Sequence, residues 1–190
     1  VEKGTDMELL SVFDTQLNER GHKIFEKRKN IFPALKDKVN KLYHEISQSE
    51  EIINLHYQSA LFDCSLHKIL HQNRQRDILL QRTTDGIHRD DMIFSLNGYP
   101  FKQTASQGQR KNFLFALKLA QYDLLQTSKK ISPLLLLDDI FEKLDHHRIS
   151  NLISFISKPG FGQVFITDTE EERIKKIWGR TTDQLQFITL

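Results

Sequence analysis

At 190 residues the chain is long enough for one domain or two small ones with a substantial core. Hydrophobic residues make up 38% and charged residues 27%, which fits a soluble globular protein with much exposed helix, and a net charge of +2 permits nucleic-acid contact without arguing for it. The single cysteine, Cys64, excludes an internal disulfide and suits a reducing cytoplasm, while the absence of a long apolar run and of a signal-peptide pattern argues against membrane insertion and export.

Between about Asp6 and Ser47, Leu10, Leu17, Ile24, Ile31, Leu35 and Leu42 recur at helical spacing, with Val39 and Ile46 beside them. This predicts a long amphipathic helix or an antiparallel helix pair. Gly21 and Pro33 are its weak points, and Pro33 is expected to start a second segment or impose a kink. Packing onto a helical subdomain is preferred here to a coiled coil. The basic run KIFEKRK reads as a solvated helix face before it reads as a DNA-phosphate contact.

SQSEE, from Ser47 to Glu51, is a polar break, after which residues 52–57 alternate apolar and polar as a short half-buried strand does. Two short helices are expected over residues 62–72 and 74–81. His67 and His71 stand four apart near Cys64, a metal-ligand spacing, but nothing completes a ligand set, and surface histidines are the plainer reading. Residues 92–96 read as a strand, and Asn97-Gly98 is a type I′ hairpin signal leading to a partner strand at 99–103. In GIHRDD an ion pair between Arg89 and a neighbouring aspartate would fix the loop.

The stretch from Gln103 to Asp145 organises the rest. Ser106 stands at the mouth of an apolar-rich helix, where Gly108 lets backbone approach a ligand and the unpaired first-turn amides can hold a phosphate. Phe113, Leu114, Phe115, Ala116, Leu117, Leu119 and Ala120 predict a central helix buried nearly all round. Leu134 to Leu137 then read as a strand buried on both faces, ending in Asp138 and Asp139, which lie where open α/β sheets bind ligands. One carboxylate suits Mg²⁺, and its neighbour suits a role on water. A helix over residues 145–157, a strand over 163–167, a helix over 170–178 and a last strand over 186–190 complete the expected elements.

GIHRDD (Gly86 to Asp91), SLNG (Ser95 to Gly98), SQGQRK (Ser106 to Lys111), LLLLDDIFEKLD (Leu134 to Asp145) and FITDT (Phe165 to Thr169), in this order, resemble the second half of an ATP-binding-cassette ATPase: signature motif, Walker B strand and D-loop. Within that superfamily the chain looks most like the RecF family of bacterial recombination mediators, over nearly its whole length. The resemblance implies an α/β fold: a partial ABC-type, P-loop-like ATPase lobe over residues 85–190 and a mainly helical arm over 1–84. The phosphate-loop pattern G-x-x-x-x-G-K-[ST] is absent, and the chain lacks an initiator methionine. It is therefore expected to be the C-terminal part of such a protein, inactive by itself although the parent would be a slow ATPase.

Such ATPases close head to tail, sandwiching ATP between one subunit's phosphate loop and the other's signature motif. By resemblance, Ser106, Gly108 and Gln109 would reach the γ-phosphate across the homodimer seam, Asp138 would hold Mg²⁺ through water, and Asp139 would take the catalytic carboxylate position. Asp145 would lie at the seam, and Thr167 would sense the γ-phosphate. DNA, double-stranded or gapped, and the partners RecR and RecO are implied in the same way, in a bacterial, nucleoid-associated cytoplasmic setting serving replication, recombinational repair and the SOS response. The alternatives are a fragment of another SMC-like repair or chromosome ATPase, a non-enzymatic dimerisation module, and a metal nuclease on Asp90, Asp91, Asp138 and Asp139. The nuclease would leave the signature word unexplained.

Overall fold

The computed structural model describes residues 7–138, 146–158, 160–169 and 186–188. The chain divides into two compact units, Val1–Asp37 with Ile52–Thr104, and Lys38–Glu51 with Ala105–Leu190. A boundary between residues 84 and 85 would fall inside the first unit. The reason is strand pairing, because residues beyond 85 complete a sheet begun at residue 53.

One helix, α1 (Met7–Ser47), runs through Pro33 and contributes to both units, so the expected helix pair is a single helix. Its buried positions also differ from the expected stripe. Leu35, Val39, Leu42 and Ile46 are buried, but Leu17, Ile24 and Ile31 are exposed, and Gly21 and Phe25 take the inward positions instead. Gly21 is small for a reason: a Cβ there would lie 2.4 Å from Leu66 Cδ2.

In the first unit, β1 (Ile53–Gln58) pairs antiparallel with β2 (Asp91–Leu96), from Ile53 opposite Leu96 to Gln58 opposite Asp91. Strand β1 buries alternate residues, as its pattern predicts. Asn97 (φ 49°) and Gly98 (φ 85°) form the left-handed pair of a type I′ turn. The returning strand β3 is only Tyr99–Pro100, because the chain enters the short helix α3 (Phe101–Thr104) where further strand was expected. The two helices expected across residues 62–81 are one, α2 (Leu66–Leu80), preceded by a single turn at Ala60–Phe62. Ser65 accepts from Lys68 N–H, Asn18 accepts from His67 N–H, and Arg74 pairs with Asp14. Phe25, Phe32, Tyr57 and Phe62 form an aromatic cluster with ring centroids 5.1–6.2 Å apart.

GIHRDD is held by a residue far upstream. Arg28, not Arg89, pairs with Asp90 at 2.9 Å and also donates to the carbonyl of Ile87, while Arg89 is exposed. The Asp90 side chain is 3% exposed and accepts a second bond from the Tyr57 hydroxyl at 2.5 Å. Burial, and then the bond to Asp90, raise the Tyr57 pKa above 10.0. The neutral phenol is therefore favoured in the folded state. Its contribution to stability is complete below pH 10 and is lost as the pH rises through the folded pKa. Urea titrations on both sides of pH 10 are expected to show a shallower alkaline loss of stability in Tyr57→Phe than in the wild type. Equal slopes would remove Tyr57 from that dependence.

The second unit is built on α4 (Gln107–Lys129), α5 (His146–Ile156) and the parallel pair β4 (Leu135–Leu137) and β5 (Val164–Ile166). Phe113, Phe115, Ala116, Leu119 and Ala120 of α4 and Ile149, Leu152, Ile153 and Ile156 of α5 are buried. Leu114 and Leu125 are half-exposed, so α4 is covered on one side rather than all round. Strand β4 likewise is buried on one face only. Leu135 and Leu137 are inside, but Leu134 and Leu136 are 61% and 70% exposed. Only β5 pairs with it among the described residues, so this sheet supplies one covered face where two were expected. Residues 186–188 are in no strand; the helix expected over 170–178 and the end of the last strand lie outside the described residues.

Candidate functional site

Two stations in the second unit carry the expected site residues. The first is the start of α4. Ser106, extended at φ −63° and ψ 166°, caps the helix: its Oγ accepts from Gln109 N–H at 3.2 Å. Gln109 answers by accepting the Ser106 N–H at its Oε1, 2.7 Å away. This reciprocal capping box satisfies two amides that a helix start would leave open. The amides of Gln107 and Gly108 keep no helical acceptor and carry the positive end of the helix dipole. Because the Ser106 hydroxyl accepts within the cap, its own proton is available for donation. The arrangement fits an anion such as a phosphate.

Gln109 is where the geometry departs from expectation. Its carboxamide is committed at both ends, because Nε2 donates to Glu51 Oε1 at 2.6 Å. Glu51 Oε2 in turn accepts from the Tyr43 hydroxyl at 2.6 Å and from Ser49 Oγ at 3.0 Å. Both ends of the Gln109 amide are thus engaged in holding the turn. The segment SQSEE reads as a polar break in sequence, and no local signal ties Glu51 to a residue 58 positions away.

The second station lies at the C-terminal ends of the parallel strands. The ladder continues past β5 through Thr167 N–H donating to the Leu137 carbonyl at 3.0 Å. This register brings Thr167 Oγ1 to Asp138 Oδ1, at 2.5 Å. Asp138 is exposed, so its carboxylate can hold Mg²⁺, which takes one or two carboxylates and keeps waters and phosphate oxygens for its other positions. Asp139 and Asp145 lie outside the described residues. No group of three or more His, Cys, Asp or Glu side chains suited to a metal occurs among the described residues.

One buried polar group was not foreseen. Asn112, on α4 one turn beyond Gln109, is 1% exposed, and neither its Oδ1 nor its Nδ2 has a hydrogen-bond partner among the described residues. An unsatisfied group of this kind costs about 1–3 kcal/mol.

No family model matches the chain. It is 42% identical over 185 residues to the DNA replication and repair protein RecF of Flavobacterium johnsoniae, covering 97% of this chain and 52% of that protein. Against the same-named protein of Parabacteroides distasonis it is 40% identical over 176 residues, covering 93% and 48%. Solved structures of the recombination mediator protein RecF in the RecFOR pathway, RecF-ATPrS and RecF-ATP, superpose with TM-scores of 0.76 and 0.74 at 28% identity. Each covers 90% of this chain and 48% of the solved one. The chain therefore spans about half the length of the relatives it matches. The resemblance to RecF holds over nearly its whole length, and its fold is that of part of an α/β ABC-type ATPase, mostly helical with small sheets. No described helix is long and apolar enough to cross a membrane.

Proposed function

We propose that this chain is the half of a RecF-type ATPase that carries the signature turn, the Walker B strand and the D-loop. In the full-length protein it closes over ATP held by the phosphate loop of a second subunit. One observation carries this reading: a capped helix start with open amides and a strand-end carboxylate bonded to a threonine occur together in one compact unit. The match to RecF proteins over most of the chain supports it.

Ser106, through its hydroxyl proton, and the amides of Gln107 and Gly108 bind and orient the γ-phosphate. Gln109 keeps the turn in shape. Asp138 would hold Mg²⁺, with Thr167 fixing its carboxylate and reporting on the phosphate side of the site. Mg²⁺ supplies neutralisation of the phosphate charge when it is bound. Asp139 orients or deprotonates the attacking water, and Asp145 meets the partner subunit; both assignments rest on the resemblance. Turnover is slow, and closure of the dimer on double-stranded or gapped DNA is the working event, with RecR and RecO as partners in repair, replication and the SOS response. The setting is the bacterial cytoplasm. Taken alone the chain lacks the phosphate-loop motif and does not hydrolyse ATP.

In the full-length protein, Asp139→Asn is expected to retain ATP binding while slowing hydrolysis at least about tenfold, the low end of general-base effects. Single-turnover assays beside equilibrium nucleotide binding measure both. Unchanged turnover would take Asp139 out of the catalytic role.

A further inference from the structure

A glutamine at the third position of a capping box needs only its oxygen, and its NH₂ is ordinarily left to water. Here that NH₂ is captured by a carboxylate from another segment of the same unit, and the carboxylate is itself fixed by two hydroxyls. Tyr43, one of these, is 1% exposed on the last turns of α1. Donor and acceptor rules leave one arrangement. The Ser106 N–H requires an oxygen, and the Glu51 carboxylate requires a donor, so the Gln109 amide has a single orientation.

We propose that Glu51 is a positioning residue for nucleotide contact: it locks the Gln109 amide, and through it the Ser106 backbone and hydroxyl, in the geometry that meets a phosphate. The inference rests on the ATP-sandwich reading above and adds to it a residue that does not touch the ligand. Without Glu51 the amide can turn over, the Ser106 N–H loses its acceptor, and the cap must rearrange before a phosphate can be held. Charge-assisted bonds of this kind are about twice as strong as neutral ones, which makes Glu51 an effective lock.

A charge swap tests this. Gln109→Glu alone keeps a capping-box side chain, because glutamate serves as well as glutamine there, but sets two carboxylates against each other. Adding Glu51→Gln rebuilds each of these bonds: the new carboxylate accepts from the Ser106 N–H and from the new amide, whose oxygen accepts from Tyr43 and Ser49. The readout is the ATP concentration giving half-maximal self-association of the full-length protein, by sedimentation, beside thermal melting without ATP. Gln109→Glu is expected to raise that concentration about tenfold, the size of one charged hydrogen bond. The double variant is expected to return it to the wild-type value. A purely structural role would lower the melting temperature and leave the ATP requirement unchanged, and that result would overturn the proposal. So would a double variant no better than the single one. A wild-type protein that does not associate with ATP would overturn the sandwich reading itself, and this inference with it.

Discussion

Ser106→Arg in the full-length protein is expected to abolish ATP-dependent self-association and to leave the fold standing. Ser106 is exposed, and its structural task is to accept one bond from Gln109 N–H. Losing a cap of this kind costs about 0.5–2 kcal/mol, which a domain of ordinary stability survives. The functional loss is of a different order. A guanidinium group and its stem would fill the space in front of the Gln107 and Gly108 amides, and the hydroxyl donor would be gone. Analytical ultracentrifugation with and without ATP separates the two effects, and DNA binding measured without ATP should change little. An ATP-dependent dimer that survives Ser106→Arg would reduce SQGQ to a helix start and leave no composite nucleotide site at this turn.

Arg28→Ala is expected to destabilise the protein by about 2–3 kcal/mol, although the arginine side chain is itself 46% exposed. An exposed arginine normally contributes little. The asymmetry of the pair decides otherwise, because Asp90 is 3% exposed and cannot exchange its lost partner for water. The Tyr57 hydroxyl would be its remaining neighbour from this cluster, and the Ile87 carbonyl would lose a donor as well. Combining Arg28→Ala with Asp90→Asn should recover part of the loss, since a neutral amide is less costly to leave buried. Urea midpoints for the four members of this cycle measure it. An Arg28→Ala cost within about 0.5 kcal/mol, as for an ordinary surface change, would remove the pair as the anchor of GIHRDD.

What the sequence made legible was governed by neighbours along the chain. Helical spacing before Ser47, the alternation of β1, the Asn97-Gly98 turn and the Ser106 cap are local signals, and the structure carries each of them. Arg28 and Glu51 escaped because their partners lie 62 and 58 residues away, and a single charged residue in a polar stretch has no periodicity to betray it. The outward face of α1 escaped for a related reason. Spacing identifies a stripe of Leu17, Ile24 and Ile31, but Gly21 and Phe25 allow closer approach on another side of the helix, so packing overrides the stripe. The four-leucine run was read for composition, which is blind to whether a second layer is present to cover it.

That uncovered run governs how the chain behaves in the test tube. Leu134, Leu136 and Phe165 point outward from the parallel pair of β4 and β5, and parallel strands are ordinarily sandwiched between layers. Bare leucines on a strand are a template for misassembly. Concentrated alone, the chain is expected to clump, to take up hydrophobic dyes and to be rescued by detergent. Its melting point alone would also understate the strength of the same fold when capped, because any binder of the folded form raises apparent stability by mass action. About half of the relatives' length lies outside the match, which is enough polypeptide to form such a lid. Purification together with a binder that covers this face, rather than a gentler buffer, is the remedy that the leucines call for.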